Sequence, residues 1–393
     1  MSIEKVNHSD LKEVILEAHK VRIPLFIHGT FGIGKSDSVK AVGKIITNNI
    51  NSEIKDEKKH LKYSEDFEDN NTTDTFMVRV IPAHQLDAGD LKGLPFPNKD
   101  HTMTTFLQTD YLPVVGQGIL FFDELKLAPP MIQANLYQII LDRRLGKYKV
   151  PADYTCIAAG NMEEDRSHSF SMALPLKNRF IHVELKTPMV EDWINDYALS
   201  NGIDHRIMSF LKGQEGLLHN YKPELNLDDE DLTVIATPRT WSFLSKIISS
   251  ITPGDKESPD GNYYKKLNIM SNATVGCDVG NQFVAWLKMS LNYDVHKIYK
   301  TGVIDKKPTA VDQQWSLASA LLSYYLKVPA NDKAKKEEVA VKYAKLAKDF
   351  FPKEHTVLMM AQAKAIDKDW LGFLKSDAVL YKGIVADYTK LLV

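Results

Sequence analysis

The chain is poor in cysteine, holding only Cys156 and Cys277 in 393 residues. Two thiols without metal-ligand spacing exclude a disulfide framework and a cysteine-built zinc site. Cys156 lies in the apolar run from Tyr154 to Ala159, which predicts core packing. Long hydrophobic runs are also missing: no uninterrupted apolar stretch reaches the roughly 18 residues that a membrane span needs. The start, Met1-Ser2-Ile3-Glu4-Lys5, lacks the apolar core of a signal peptide, so a cytoplasmic location is expected. Charge of neither sign dominates. A formal net charge of −2 with 25% charged residues argues against a protein that coats nucleic acid. No internal repeat is visible, and the length suits two or three domains.

Against these absences stands one dense motif. Gly29-Thr30-Phe31-Gly32-Ile33-Gly34-Lys35-Ser36 has the phosphate-loop spacing of two glycines, a lysine and a hydroxyl. An apolar stretch from Ile23 to Ile27 precedes it as a predicted strand. A helical pattern with Val39, Val42 and Ile46 on one face follows it. Glycines let backbone N–H groups close around phosphates, and the helix start adds positive potential. The expected nucleotide contacts are Gly29, Thr30, Gly32, Ile33, Gly34, Lys35, Ser36 and Asp37, with ATP and Mg²⁺ as cofactors. Lys35 would reach the β- and γ-phosphates, and Ser36 would bind the metal.

A second element separates an enzyme from a binder. Gly118-Ile119-Leu120-Phe121-Phe122-Asp123-Glu124 is an apolar strand ending in two acids. Asp123 would hold Mg²⁺, and Glu124 would act as general base on the attacking water. Capping of the next helix is the plain alternative for both. Gly160-Asn161 follows another predicted strand; Asn161 either meets the γ-phosphate and water or sits in an ordinary turn. Arg179, in the run from Leu174 to Phe180, is either an arginine finger or a surface residue. Arg239, at the helix start Thr237-Pro238-Arg239, is either a phosphate contact or a solvated arginine.

The strands and helices alternate up to about residue 186, which predicts an α/β sheet covered on both faces. The expected division is a P-loop α/β domain at 1–186, a helical lid at 187–328 and a helical extension at 329–393. Helices are expected from Trp193 to Phe210, Arg239 to Ser249, Ala273 to Leu291, Trp315 to Leu326 and Asp332 to Asp349. Residues 47–74, dense in Lys, Glu, Asp and Asn, predict a solvated loop. Leu112–Val115 reads as a short strand, Gly146 as a helix exit and Glu257–Asn262 as a turn-rich loop.

The order of these motifs resembles AAA+ ATPases, and within them the MoxR-like group of the dynein-related branch. The resemblance is carried by Gly118–Pro130, Leu141–Gly146, Ala158–Asn161, Leu176–Phe180 and Thr237–Arg239, and spans roughly residues 10 to 325. It implies that Asn161 is sensor 1, Arg179 the finger acting on a neighbouring subunit and Arg239 sensor 2. It also implies an oligomer, expected to be a hexameric ring, that hydrolyses ATP to remodel a protein client, with a von Willebrand factor A domain protein as a candidate partner. Asp87–Pro95 resembles the segment before that branch's helix insertion. Gly146–Asp153 resembles its pore hairpin, making Lys147, Tyr148 and Lys149 candidates for substrate contact, with a plain surface hairpin as the alternative. Two other classes stay open: a nucleic-acid motor, which the absence of a basic domain disfavours, and an ATP-gated scaffold, which Glu124 disfavours.

Overall fold

Strand residues in the N-terminal half alternate between two apolar cores, as a sheet covered on both faces requires. Leu25 and Ile27 enter one core and Phe26 the other. Ile119 and Phe121 separate in the same way from Leu120 and Phe122, as do Ile157 and Ala159 from Cys156 and Ala158. The computed structural model describes residues 3–66, 72–107, 109–162, 172, 177–221, 234–251, 262–289, 293–305, 307–329 and 331–389. These form two compact units, Met1–Thr187 and Pro188–Val393.

In the first unit, seven parallel strands form one sheet. They are β1 (Glu4–Val6), β2 (Leu25–His28), β3 (Lys62–Ser64), β4 (Thr75–Pro82), β7 (Gln117–Asp123), β10 (Tyr154–Gly160) and β11 (Ile181–Leu185). Their spatial order is β1-β11-β2-β10-β7-β4-β3. The chain runs from β2 to partners on both sides, β11 and β10, so the strand order switches there. In such sheets ligands bind beyond the carboxyl ends of the strands at that point. Helices α1 (His8–Val21) and α2 (Lys35–Glu53) cover one face through Leu11, Ile15, Val39 and Val42. The other face packs on α4 (Pro130–Asp142) through Ile132, Leu136 and Ile140. Gly43 lets α2 approach the sheet: a Cβ there would lie 2.3 Å from Val78 Cγ2. The fold is α/β, with a P-loop sheet domain followed by a helical region.

Several local expectations are corrected. Residues 47–74 are not one solvated loop: α2 continues to Glu53, a 3₁₀ turn occupies Glu57–Lys59, and β3 adds a seventh strand beside β4. Tyr63 anchors that strand, its hydroxyl donating to Glu65 at 2.9 Å, so the surrounding charge misled the reading. Leu112–Val115 forms no strand; Leu112 is buried, whereas Val114 and Val115 are exposed. A short helix α3 (Ala88–Lys92) precedes a ribbon of β5 (Leu94–Pro97) and β6 (Thr104–Leu107). Helix α4 ends at Asp142 with Arg143 in the left-handed region, and Gly146 instead turns the hairpin of β8 (Arg144–Leu145) and β9 (Tyr148–Lys149). Strand β1, absent from the sequence reading, pairs with β11.

The second unit holds no strand among its described residues. Its first helix runs from Val190 to Trp193 into a π turn at Ile194–Ala198, and the chain breaks at Gly202 before the next helix, His205–Gly213. A continuous helix from Trp193 to Phe210 is thus corrected. Helices Pro238–Ser250, Asn262–Val275, Cys277–Met289, Val295–Thr301 and Val311–Leu326 follow. The helices Lys333–Phe350 and Lys353–Ile366 share one apolar core with them, so the C-terminal extension packs on the bundle through Tyr343, Ala344, Met359 and Trp370. The segment 257–261 of the expected turn-rich loop lies outside the described residues.

Candidate nucleotide site

Strand β2 ends at His28 and delivers the chain into the glycine turn. Gly32 and Gly34 have φ of 73° and 92°, a region that suits glycine. Gly34 is the N-cap of α2, and no side chain caps this helix start. An uncapped start leaves amide donors and the positive end of the helix dipole for an anion. Ile33 is buried and its carbonyl accepts from His8 Nε2 at 2.7 Å, which pins the turn to α1. Asp37 lies exposed in the first turn of α2.

Five side chains at neighbouring strand ends and the start of α2 converge: Lys35, Ser36, Asp123, Glu124 and Asn161. Lys35, only 8% exposed, donates from Nζ to Gly29 O and Thr30 O, both at 2.7 Å, and to Asn161 Oδ1 at 3.0 Å. Ser36 Oγ donates to Asp123 Oδ2 at 2.7 Å. The Glu124 amide donates to Asp123 Oδ1 at 3.0 Å, which orients that carboxylate. Glu124 itself sits at φ 54°, a left-handed conformation uncommon outside glycine and frequent at functional positions. Parallel register explains the convergence: Gly160 lies opposite His28, and Pro82 opposite Asp123.

Three groups escaped sequence reading. His84 Nδ1 donates to Glu124 Oε2 at 2.8 Å, so the expected base already has a partner. Lys126 Nζ donates to the Asn161 carbonyl at 3.3 Å and lies 5.8 Å from the centre of the Phe26 ring. His28 meets His182 through their ring nitrogens, 2.9 Å apart, with the rings tilted by 31°. A lone histidine carries no motif, and only the strand order brings these residues together.

Among the described residues, neither Arg179 nor the β8–β9 hairpin bonds to this cluster. Arg179 is mostly exposed and pairs with Asp142 at 3.7 Å, an exposed contact worth on the order of 1 kcal/mol at most. Residues 173–176 of its motif lie outside the described residues. Arg239 is exposed in the first turn of the helix Pro238–Ser250, whose start Thr237 caps through a reciprocal bond with Thr240; it belongs to the second unit. In the β8–β9 hairpin Lys147 and Lys149 are exposed, but Tyr148 is not. Its ring is half-buried, its hydroxyl donates to Pro113 O at 2.9 Å, and burial pushes its ionisation well above the usual tyrosine range. An exposed aromatic grip at Tyr148 is therefore corrected. Cys156 is buried, and that burial pushes its thiol up to about 12, consistent with packing.

No protein-family model and no curated protein matches the chain. Among solved structures it is loosely similar to NtrX from Brucella abortus, at 12% identity and TM-score 0.34, covering 96% of this chain and 67% of that one. It is similar to a RuvB variant from Thermotoga maritima at 13% identity and TM-score 0.35, covering 94% and 88%. NtrX in complex with ATP gives 13% identity and TM-score 0.30, covering 93% and 67%. These likenesses are too loose to carry a function, so the chemistry rests on the site. Among the described residues no helix is long and apolar enough to cross a membrane.

Proposed function

We propose that this chain is an AAA+ type ATPase that binds ATP with Mg²⁺ and hydrolyses it in a ring of copies. The observation that carries the reading is the convergence of Lys35, Ser36, Asp123, Glu124 and Asn161 at the carboxyl ends of β2, β7 and β10. An ammonium held by two carbonyls and an amide oxygen can exchange those acceptors for phosphate oxygens without a large movement. The hydroxyl of Ser36 and the carboxylate of Asp123 are hard oxygen donors already in contact, which fits Mg²⁺. When bound, the ion would neutralise charge on the phosphates. Glu124 takes the proton of the attacking water once its carboxylate turns from His84. Asn161, tied to Lys35 through its side chain and to Lys126 through its carbonyl, orients that water beside the terminal phosphate.

Arg179 supports the oligomer. Its side chain is mostly exposed and its contact with Asp142 is weak, as a finger reaching a neighbour's nucleotide requires. Arg239 is assigned to sensor 2 by its motif. The proposed ring is hexameric and remodels a protein client, with a von Willebrand factor A domain protein as partner. Lys147 and Lys149 are exposed cations of the hairpin that it offers to that client.

The test begins with two variants. Lys35→Ala should abolish binding of labelled ATP. Glu124→Gln should bind ATP normally and lose hydrolysis by a factor on the order of 10² or more. Unchanged turnover in Glu124→Gln sinks the assignment. Stimulation of turnover by DNA rather than by protein would turn the reading toward a nucleic-acid motor.

A further inference from the structure

Two imidazoles link the phosphate loop to the turn that carries Arg179. His28 Nε2 lies 2.9 Å from His182 Nδ1, and His182 Nε2 lies 2.6 Å from the Lys177 carbonyl. A carbonyl only accepts, so His182 Nε2 carries the hydrogen. In the neutral ring Nδ1 is then a lone pair, and His28 Nε2 donates to it. The bonds therefore run one way, from His28 through His182 to Lys177. Burial, reinforced by the positive charges of Lys126, Lys177 and Lys35, lowers His28 to about 3 and keeps its ring neutral.

Both ends of this chain are held tightly. His28 directly precedes Gly29, whose carbonyl accepts from Lys35. Lys177 opens the turn closed by the Phe180 amide on the Lys177 carbonyl at 3.3 Å. Phe180 is buried edge-on against Phe26, with ring centres 5.7 Å apart, and packs near His182 at 5.9 Å. The next residue, Ile181, donates its amide to Pro24 O at 2.9 Å. Arg179 thus has an anchored backbone under an exposed side chain.

We infer that the His28–His182 pair transmits the state of one copy's phosphate loop to the Arg179 that the same copy offers its neighbour. This rests on the reading of Arg179 as a finger acting in trans. The physical step starts at Lys35. An ammonium has three N–H groups, and Gly29 O, Thr30 O and Asn161 Oδ1 accept from all three. A phosphate that recruits Lys35 must displace at least one of them. Loss of a charge-assisted bond at Gly29 O releases the Gly29–Thr30 peptide, one residue beyond His28. The two rings pass that change to the Lys177 carbonyl. Cores of packed rings shift between discrete arrangements rather than deform smoothly, which suits a switch of this kind.

Mixed rings test it. The receiving copy carries Arg179→Ala, so it donates no finger and its own intact site works only beside a donor. The donating copy carries either Lys35→Ala, which leaves it empty, or Glu124→Gln, which leaves it filled with ATP. Filled donors should restore more turnover than empty donors, by about fivefold. Adding His182→Phe to the donors keeps ring volume against Phe26 and Phe180 and removes both nitrogens. The advantage of filled donors should then vanish while the KM of the mixture for ATP stays the same. A merely structural role for His182 would weaken both donors alike and leave their ratio intact. Should His182→Phe fail to fold, His28→Phe cuts the same bond from the other side; retained binding of labelled ATP confirms that its Glu124→Gln donor is filled. An advantage that survives the loss of the bond overturns the inference, as does equal rescue by filled and empty donors from the outset. If neither donor restores any turnover although labelled copies exchange, the trans reading of Arg179 fails first and the inference falls with it.

Discussion

Polar side chains are handled in opposite ways in the two units. At the carboxyl ends of the central strands of the first, Lys35, Ser36, Asp123, Glu124 and Asn161 bond mainly to one another and to loop carbonyls, and a ligand can replace each partner. In the second, Arg206 grips Asp204 through two parallel bonds at 2.9 and 2.7 Å and spends a third donor on Tyr263 Oη at 2.9 Å. Asp204 also accepts from the Arg206 amide, and its own amide donates to Ser245. Burial alone would raise the Asp204 carboxyl, but the Arg206 charge and its bonds, with His205, hold it well below the usual carboxylate range. One region keeps bonds for exchange; the other keeps them for good. Polar clusters therefore signal chemistry when their partners are replaceable, not when their number is high.

The contrast can be broken most forcefully at Arg206. Arg206→Ala leaves Asp204 charged and buried, and should destabilise the second unit by about 3–5 kcal/mol. All five tryptophans, Trp193, Trp241, Trp286, Trp315 and Trp370, lie in that unit, so tryptophan fluorescence in urea reads it selectively. A cost below about 1 kcal/mol would show that the pair is as exchangeable as the strand-end cluster.

Acid should separate the units next. Burial, aided by Arg22, lowers His19 to about 4, and His28 falls to about 3. Both rings fold neutral, so their contribution is full above the unfolded value of about 6.5 and is lost as pH falls toward those folded values. Between pH 7 and 5 the first unit should lose on the order of 1–2 kcal/mol per ring. In the second unit His355 is also lowered, chiefly by burial. Its Asp204 contribution is present above about 3.9 and is lost only below that. Hydrogen exchange across this range should show the sheet loosening before the bundle. The reverse order would contradict the assignment.

Smaller effects sharpen the picture within the first unit. Gly43→Ala forces a methyl into Val78. Overpacking of about 1–3 kcal/mol should exceed the roughly 1 kcal/mol gained in helix propensity. Because α2 carries Lys35, weaker ATP binding should accompany the loss of stability. Tyr148→Phe deletes a single hydroxyl on Pro113 O and should cost about 1 kcal/mol in a melt while leaving ATP turnover unchanged.

The phosphate loop and the acidic end of β7 were legible because their chemistry demands fixed residue types at fixed spacing. Short continuous apolar runs likewise revealed β2, β7 and β10. Strand β3 was hidden because a three-residue edge strand among Lys, Glu and Asp shows too few apolar positions to register. His84 and the His28–His182 pair were hidden for another reason: their partners lie on other strands, and the register that joins them follows from the fold. Tyr148 was misread because a tyrosine between lysines looks exposed until Pro113 is seen to accept from it.

The pairing of β1 with β11 also fixes when the sheet can be finished. Glu4 lies opposite Val183, so the first strand made waits for the last. At about 5–20 residues per second of synthesis that wait is on the order of ten seconds or more. Strand β2, which feeds the phosphate loop, sits between β10 and β11, both late products of the ribosome. Until residue 185 has emerged, β2 keeps an open edge, and its Leu25-Phe26-Ile27 run is a template for mispairing with another chain. Fragments ending before Ile181 should accordingly aggregate rather than fold.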